Sequence, residues 1–591
     1  YRHCCNRGFA LKFHYSLPRL TPRCRNAMPE NGASYRLPTG RAFDVVVIGG
    51  GITGAWTALD CTLRGLSTLL VEKADFGGAT SMRSSRLLHG GIRYLQQLEF
   101  GKVRESARER HFLTRSAPHL VQHVPFVVPT YRNLRQGRAF LYSGMLAYRI
   151  LTAGCQGARA DSAIKVPRDR AISQQRIKSQ GLIQDDAITG GRILFETQVQ
   201  SSERMTLGVI ERARESGAVA LNYTEMTGYR IFENAVSGIA VRDLTDGSPG
   251  EIQAKLVINA AGPWCDHLNQ DASLHGLNTG FARGAHIVTR ALTSDYAIAL
   301  PSAFQSDGVA TRGHRHVFVI PWRNRSLIGT SYLESDEPSD SLVPTKEEIS
   351  QLVDTVNQGL PQANLTHADV LQSFAGYYPL QSASIQQGVY QGTGEYRLVD
   401  HAMTDGTQGL VTALGAKFTT ARRLGEMAAQ LAEKKLSGTH HANRLPTRSV
   451  TIQGGDIIDL KQFRAEVHDR YRDLWSETTC QYLVSCYGSR IHEIAKLCRS
   501  DPELNRPLLG DQETLAAQVI FAARHESVVH LADILFRRTD LCLLGDPGDA
   551  VLNDCADLAA KALGWNEARR LTELKSVRSE LARSIPAAAN E

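Results

Sequence analysis

The clearest pattern of apolar and polar positions lies between residues 44 and 72. Four apolar residues at 45–48 run directly into the sequence GGGITG at 49–54. Apolar residues then recur at helical spacing, and a second apolar run at 69–71 ends at Glu72. This order predicts a strand, a glycine turn, a helix and a second strand that ends in a carboxylate. Such a βαβ unit is typical of dinucleotide-binding proteins.

Each polar or small residue of this unit has a physical reason to be there. Gly49 allows the tight turn, Gly51 lets the backbone approach a pyrophosphate, and Gly54 lets helix and strand pack closely. The N-terminus of the helix offers free N–H groups and a partial positive charge to an anion. Glu72 lies where a carboxylate accepts hydrogen bonds from a ribose. We therefore predict that the chain binds a dinucleotide.

Other patterns predict at least two more structural units. Residues 316–320 follow the two-residue alternation of a strand, and residues 326–329 form a short run, so both are predicted strands. Residues 437–456 are polar and contain proline and glycine, which is typical of a linker. Beyond them the spacing is helical almost throughout and predicts a separate domain. A chain of 591 residues is also too long for a single core.

Composition narrows the class of protein. Hydrophobic residues make up 42% and charged residues 21% of the chain, which is ordinary for a soluble globular protein. No run of 18 apolar residues occurs, so no spanning helix is predicted. The 11 cysteines are scattered without the spacing of a metal site, which favours buried free thiols and no metal.

The net charge of +7 comes mostly from the N-terminal extension. Residues 1–29 contain six arginines and lysines and no acid, so the remainder of the chain carries only +1. This argues against nucleic-acid binding. An arginine-rich leader without acids fits a mitochondrial transit peptide at residues 1–27, but a true start at Met28 explains it equally well. We exclude residues 1–40 from the fold prediction.

The segment after Glu72 carries the most specific sequence signal. Residues 80–95 are TSMRSSRLLHGGIRYL, and this part of the chain resembles the flavin-dependent glycerol-3-phosphate dehydrogenases and oxidases. Their hallmark is a glycine motif followed by TSS-x-SS-[KR]-L-[IL]-HGG-[LIV]-RYL. The resemblance spans roughly residues 43–580 and continues in LVINAAGPW (256–264), RGAHIV (283–288), HVFVIPWRNRSLIGTSY (316–332), GLVTALGAKFTTAR (409–422) and ARHESVVHLADILFRRTDL (523–541).

The resemblance implies an α/β fold of the multidomain α+β kind. A Rossmann-like FAD-binding domain is interleaved in sequence with a substrate domain built on an antiparallel sheet, and a helical C-terminal domain follows. The implied segments are 41–110, 187–282 and 379–437 for the FAD-binding domain, 111–186 and 283–378 for the substrate domain, 438–456 for the linker and 457–591 for the C-terminal domain. The charged stretch at 523–541 is expected to be a solvated, salt-bridged face.

The resemblance also implies FAD as the cofactor, held without a covalent bond. No cysteine or histidine lies in a recognised flavinylation motif. The residues implied for cofactor binding are Gly49, Gly51, Ile52, Thr53, Gly54, Glu72, Lys73, Thr80, Ser81, Ser84, Ser85, Leu87, His89, Gly90, Gly91, Ala261, Gly262, Gly415, Phe418 and Thr419.

Four residues match the family's catalytic and substrate positions. His286 corresponds to the histidine over the flavin, and an imidazole titrates close to working pH, which suits a catalytic base. Arg93 and Tyr94 match the Arg-Tyr pair that holds a phosphate, and Lys417 matches an active-site lysine. The residues alone leave other roles open: a structural histidine, an arginine on a helix surface and a lysine in solvent.

Two departures from the family pattern concern the substrate. The usual GVRPL is GYYPL here, so Tyr378 replaces an arginine, and Gly394 replaces a second arginine. Arg397 does not substitute, because in a strand it faces the opposite side. Arg283, which we predict to bind substrate, or another cation would compensate for this loss. Without compensation, each lost charge-assisted hydrogen bond costs on the order of 1.5–3 kcal/mol of binding.

The implied function is oxidation of the secondary alcohol of glycerol 3-phosphate, or of a close anionic analogue, with a membrane quinone as electron acceptor. Residues 131–151 interleave arginines with aromatic and aliphatic residues, which fits either an anionic bilayer or an amphipathic helix packed on its own domain. We expect a cytoplasmic protein on the inner face of a membrane, or a mitochondrial one if residues 1–27 are a transit peptide. A homodimer is one possible assembly.

Two other functions stay open at this point. The same flavoenzyme scaffold could act on a different hydroxy acid, a polyol or an amine. A flavin-binding protein without catalysis could instead serve as a regulatory module. Retention of His286, Arg93 and Lys417 favours an enzyme, whereas Tyr378 and Gly394 favour a change of role.

Overall fold

The computed structural model describes residues 37–585 except 39, 133–136, 156–163, 184–185, 273, 275, 278, 306–313, 336–337, 340–341, 381–394, 439–440, 442 and 512. The strands are β1 Ala42–Ile48, β2 Thr68–Val71, β3 Leu87–Leu88, β4 Val121–Tyr131, β5 Arg170–Ser173, β6 Ile188–Val199, β7 Val219–Leu221, β8 Thr224–Phe232, β9 Ala235–Asp243, β10 Pro249–Asn259, β11 Phe281–Arg290, β12 Ala297–Gln305, β13 His314–Trp322, β14 Arg325–Gly329, β15 Leu333–Ser335, β16 Val370–Pro379, β17 Arg397–Asp400 and β18 Leu410–Leu414.

The helices complete the framework. They are α1 Ile52–Leu63, α2 Ile92–Gln96, α3 Phe100–Ser116, α4 Arg138–Leu151, α5 Gln174–Ser179, α6 Ser202–Glu215, α7 Cys265–Asp271, α8 Lys346–Gly359, α9 His401–Thr404, α10 Ala421–Ser437, α11 Leu460–Tyr471, α12 Glu477–Tyr487, α13 Ile491–Ser500, α14 Ala516–His525, α15 Leu531–Asp533, α16 Asp549–Leu563 and α17 Glu567–Ser584. None of these helices within the described residues is both long and apolar enough to cross a bilayer.

The first sheet contains the predicted βαβ unit and confirms it. Its strand order is β17-β18-β10-β1-β2-β7, with β1 parallel to both β10 and β2. The run of apolar residues in β1 is continuous because helices cover one face of the sheet and the β8–β9 hairpin packs on the other. Trp56 and Leu59 of α1 are fully buried against α6 and α10.

The second sheet is largely antiparallel, as the resemblance implied. Its order is β15-β11-β14-β13-β12-β4-β6-β3, with β16 added beside β11 and β5 beside β6. Helix α8 packs on one face, where Ile287, Ile328 and Val353 share a buried cluster. Strand β6 pairs along its length with β4, so this sheet includes residues 188–199. The predicted boundary at residue 187 is therefore too early, because the chain stays in the second sheet until about residue 200.

The C-terminal helices α11–α17 form their own core, which is continuous with Trp322 and Phe374 of the second sheet. The predicted linker is more than a loose connection. Thr447 donates a hydrogen bond to Asp60 on α1 at 2.6 Å, and Ile452 is buried against α1 and α6. Because these contacts are extensive, the described part of this segment belongs structurally to the first domain.

Most charged residues of the stretch at 523–541 are buried rather than solvated, which contradicts our prediction; Arg524 is exposed, but Glu526, Asp533, Arg537 and Arg538 are buried. Asp75, which follows β2, accepts hydrogen bonds from Arg538 at 2.6 and 2.8 Å and from Arg537 at 2.5 Å. Asp533 binds Arg537 at 2.7 Å and accepts a hydrogen bond from Tyr223 at 2.5 Å. These charges satisfy one another at the contact between the first and C-terminal domains, so they do not need water.

Candidate active site

A cavity of about 1040 Å³ lies between the two sheets. This is at the upper end of the range for small-molecule pockets, as a large ligand such as a dinucleotide requires. Its walls include the glycine turn after β1, the polar loop before α2, the facing strands of the second sheet, and the turns after β10 and β18. Nearly all the residues predicted for cofactor binding line it, the exceptions being Gly54 and Gly90.

The glycine turn is shaped for a backbone contact with a ligand. Gly49 has φ +101°, and a Cβ there would lie 2.6 Å from the carbonyl oxygen of Ala260. A Cβ on Gly54 would overlap the carbonyl oxygen of Gly49, so Gly54 serves packing rather than contact. Gly51 precedes α1, whose first turn contains no acidic side chain. The turn and helix N-terminus therefore fit the pyrophosphate of FAD.

Glu72 closes the far side of this turn. Its carboxylate accepts hydrogen bonds from the backbone N–H groups of Gly50 at 2.7 Å and Ala74 at 2.9 Å. Burial raises the pKa of Glu72, although these two hydrogen bonds act in the opposite direction. The carboxylate thus braces the turn as well as lining the cavity, a role that the sequence did not indicate.

Replacing Glu72 with alanine should weaken FAD binding by about tenfold, because a charged acceptor and the brace of the turn are both lost. Titration of the apoprotein with FAD measures the dissociation constant directly. Glu72→Gln keeps the size and one acceptor oxygen, so it should show a smaller loss. Unchanged FAD affinity in the alanine variant would contradict the assignment of Glu72 to the cofactor.

The polar loop forms the second wall. Ser81 accepts a hydrogen bond from the backbone N–H of Ile52 at 2.9 Å, which ties the loop to the start of α1. Thr80, Ser84 and His89 also line the cavity. Gly90 lies behind this wall, which corrects its prediction as a cofactor contact. A side chain at Gly90 would overlap Tyr148 and Arg110, so close packing explains this glycine.

His286 lies on β11 in the opposite wall and is 3% exposed. Its Nε2 is 2.9 Å from the hydroxyl of Ser85, and its ring stacks on Phe374 with centroids 5.4 Å apart. A Cβ on Gly329 of the neighbouring strand would overlap the imidazole, so glycine leaves room for the ring. These three neighbours fix the orientation of the imidazole.

Lys417 and Tyr94 meet at another side of the same cavity. The ammonium of Lys417, just after β18, lies 4.6 Å from the centre of the Tyr94 ring on α2. Both residues line the cavity. The structure therefore brings together two of the predicted substrate residues from distant parts of the chain. Arg93 precedes Tyr94 in α2, but its side chain lies outside the described part of the structure.

Tyr378 shares the cavity face of the second sheet with His286. It lies on β16 opposite Ala282, so side-chain alternation along β11 places it on the same side as Gly284 and His286. A Cβ on Gly284 would be 3.2 Å from its ring. The tyrosine is half-buried and presents an aromatic wall where the family pattern has an arginine. Gly394 lies outside the described residues.

Arg283 does not contribute to this cavity, contrary to our prediction. Gly284 and His286 line the cavity, so Arg283, at the alternate position of β11, points to the opposite face of the sheet. There it binds Glu348 of α8 at 2.6 Å. Arg397 is also directed elsewhere, because it donates a hydrogen bond to the carbonyl oxygen of Leu277.

Several residues that line the cavity are not among those predicted from the sequence. His316 and Phe318 lie on the cavity face of β13, and the alternation of that strand could have identified them. Arg83 lines the wall near Gly78, and burial lowers its pKa to about 10. Glu196, near the end of β6, had no local signal, because its place depends on the pairing of β6 with β4.

Comparisons with known proteins agree with this architecture. Residues 44–431 match the family described as FAD dependent oxidoreductase, and residues 445–570 match the C-terminal domain of alpha-glycerophosphate oxidase. A glycerol-3-phosphate dehydrogenase of Synechocystis sp. is 32% identical and aligns with 89% of this chain and 94% of its own. The aerobic glycerol-3-phosphate dehydrogenase of Staphylococcus saprophyticus is 30% identical, with coverages of 84% and 86%.

The fold comparison points the same way. The structure of the glycerol-3-phosphate dehydrogenase from Bacillus halodurans, complexed with FAD, superimposes with a TM-score of 0.72 at 24% identity. The match covers 93% of this chain and 96% of that one. The two proteins therefore share the fold of both sheets and of the helical C-terminal region.

Proposed function

Because this chain belongs to the FAD-dependent oxidoreductase family, we propose that it oxidises the secondary hydroxyl of glycerol 3-phosphate. The relatives named above support this substrate. The observation that carries the proposal is the placement of His286 in the same cavity as Lys417 and Tyr94. A base and a cation on different walls are what an anionic alcohol needs for binding and deprotonation.

Bound FAD supplies the hydride acceptor for such an oxidation. His286 takes the proton of the substrate hydroxyl at Nε2, the nitrogen that accepts from Ser85 when the ring carries its proton on Nδ1. Stacking on Phe374 holds the ring in that position. Lys417 binds the anionic end of the substrate, with Tyr94 beside it. Phe318 adds an apolar wall that excludes water.

Reduction of the flavin by substrate tests the proposal. Under anaerobic conditions, glycerol 3-phosphate should bleach the visible absorbance of the bound flavin, while glycerol should act far more weakly because it lacks the phosphate. A hydroxy acid and an amine serve as alternative donors in parallel samples. Bleaching by one of these and not by glycerol 3-phosphate would move the chain to a different substrate. Absence of bleaching by every donor would favour the regulatory module.

Tyr378 favours a second candidate, a less charged or bulkier alcohol. Tyr378→Arg should tighten glycerol 3-phosphate binding by about tenfold, the equivalent of one charge-assisted hydrogen bond. Tyr378→Phe is the matched control, since it keeps the aromatic wall and removes only the hydroxyl. Substrate titration of flavin bleaching gives the affinities. If the unmodified protein already binds at micromolar concentrations, another cation fills the gap, and Arg83 is the first to test.

The proposed electron acceptor is a quinone, and the proposed docking surface for its membrane is helix α4. Tyr142, Leu146 and Ile150 form an exposed stripe, with Leu146 at 44% and Ile150 at 66% exposure. The sequence also allowed an amphipathic helix packed on its own domain, but here the apolar face points outward. Exposed basic residues lie in the helix and in the chain on both sides of it: Arg132, Arg138, Lys165, Arg168 and Arg170. This combination fits an anionic bilayer.

Vesicle binding measures this docking. The protein should sediment with phosphatidylglycerol vesicles, and the bound fraction should fall as salt screens the arginines. Replacing both Leu146 and Ile150 with aspartate should reduce binding by at least about tenfold, because apolar burial is lost and like charges are added. Leu571→Asp, at an exposed leucine of α17, is the control. Equal sedimentation of all variants would exclude α4 as the docking surface.

A further inference from the structure

Both the backbone N–H and the carbonyl oxygen of Gly90 are hydrogen-bonded to side chains. Its N–H donates to Glu196 at 3.0 Å, and its carbonyl oxygen accepts from the hydroxyl of Tyr148 at 2.8 Å. Arg110 joins the two partners, since it donates to Tyr148 at 3.2 Å and to Glu196 at 3.4 Å. Gly90 is buried, so each of these bonds forms without competition from bulk water.

These hydrogen bonds hold the turn directly before α2, the helix that carries the predicted substrate residues. Gly91 follows with φ +80° and is the N-cap of α2, which contains Tyr94. A Cβ on Gly91 would lie 2.8 Å from the Cβ of Ser106 on α3, so this turn is closely packed. Any shift of Gly90 therefore moves the start of α2 and, with it, the Tyr94 ring beside Lys417.

Tyr148 belongs to α4 and faces inward from it. It lies two residues from both Leu146 and Ile150, which places it about 200° around the helix from the exposed apolar stripe. The same helix is thus a candidate membrane surface on one side and a hydrogen-bond donor to the active-site turn on the other. Burial raises the pKa of the Tyr148 hydroxyl, so it stays protonated and able to donate.

The rest of α4 is held at its C-terminal half. Arg104 of α3 donates to the carbonyl oxygen of Leu151 at 3.1 Å, and Arg149 lies 3.6 Å from Asp169. Because these contacts link α4 to α3 and to Asp169, a shift of α4 should also displace these neighbours. We propose that Tyr148 is a positioning residue that links helix α4 to the turn before α2. When α4 docks on an anionic bilayer, the hydrogen bond from Tyr148 to Gly90 stabilises this turn in the conformation that binds substrate.

This inference rests on the proposed function and on the docking of α4. The test uses the FAD-bound protein, with and without vesicles of phosphatidylglycerol, and follows hydrogen–deuterium exchange of residues 89–97 by mass spectrometry. Tyr148→Phe removes only the hydroxyl. Tyr471→Phe is the control, because it removes a hydroxyl that is hydrogen-bonded to His492 at 2.7 Å in the C-terminal domain.

Without vesicles, Tyr148→Phe should speed exchange of residues 89–97 by about three- to tenfold, the effect of losing the hydrogen bond to the carbonyl oxygen of Gly90. Vesicles should slow exchange of this segment in the unmodified protein and in Tyr471→Phe, but not in Tyr148→Phe, although α4 is protected in all three. The KM for glycerol 3-phosphate should rise by the same factor in Tyr148→Phe, with kcat and the flavin spectrum unchanged.

Each contrary result has a separate meaning. Protection of residues 89–97 by vesicles in Tyr148→Phe would overturn the inference, and so would protection of α4 alone in the unmodified protein. Failure of vesicles to protect α4 would overturn both the docking and the inference. If glycerol 3-phosphate does not reduce the flavin, the proposed substrate falls, whereas the exchange data still decide the role of Tyr148.

Discussion

Replacing His286 with alanine is expected to slow flavin reduction by substrate by about a hundredfold or more, while FAD stays bound. The variant loses the nitrogen that takes the hydroxyl proton. It keeps the glycine turn and removes from the polar loop a single hydrogen bond, the one to Ser85, together with the stacking on Phe374. Stopped-flow measurement of flavin absorbance after mixing with substrate gives the rate.

A second histidine supplies the control for this experiment. His316 lines the same cavity from β13, and His316→Ala should slow reduction by less than about tenfold because it is not the proton acceptor. The rate in the His286 variant should also lose the pH dependence that a titrating base imposes. A near-normal rate in His286→Ala would leave this residue with a structural role only.

Replacing Asp75 with asparagine is expected to lower the free energy of unfolding by about 3–5 kcal/mol, since it leaves buried arginine charges without their partner. Asp75 and Arg538 are 2% and 1% exposed. Denaturant unfolding followed by circular dichroism and by FAD fluorescence measures the loss. Asp549→Asn is the control, because the Asp549–Arg578 pair on the surface is exposed. Its removal should cost less than about 1 kcal/mol.

The same carboxylate predicts a dependence of stability on pH. Burial by itself raises the pKa of Asp75, but the charges of Arg538 and Arg537 outweigh it and hold the pKa well below its ordinary value. Its contribution is therefore complete above the unfolded pKa of about 3.9 and is lost as the pH falls below it. The asparagine variant should lack this part of the acid loss. The free energy of unfolding of both proteins is measured as the pH is lowered. If it falls equally in the two proteins, Asp75 does not make this contribution.

The parts of the fold that were predictable from sequence are those with local signals. The βαβ unit was found because its glycines, apolar runs and Glu72 are close together in the chain. The direction of the Arg283 side chain, away from the cavity, was also predictable from local sequence, because Arg283 lies on the face of its strand opposite to Gly284 and His286. Its true partner, Glu348, was not, since it lies on a helix that only the folded chain brings near.

Long-range contacts explain the larger errors. Arg537 and Arg538 are surface residues by their local charge pattern, and their partner Asp75 lies more than 460 positions earlier in the chain. Strand β6 was assigned to the wrong domain because only its pairing with β4 defines its sheet. The cavity residue Glu196 was missed for the same reason. Sequence pattern alone carries no signal for such pairings, whereas a family resemblance supplies part of it.

The order of strands in the first sheet has a consequence for biosynthesis. Strand β10 lies between β1, which begins at Ala42, and β18, which begins at Leu410. A ribosome must therefore release most of the chain before this sheet can close and the turn at Lys417 can meet the glycine turn. Until then the C-terminal part of one edge of β10, residues 257–259, is unpaired and open to aggregation, whereas β9 already covers residues 249–253. We expect the nascent chain to depend on chaperones during that interval and to acquire its flavin only after the turn at Lys417 has left the ribosome.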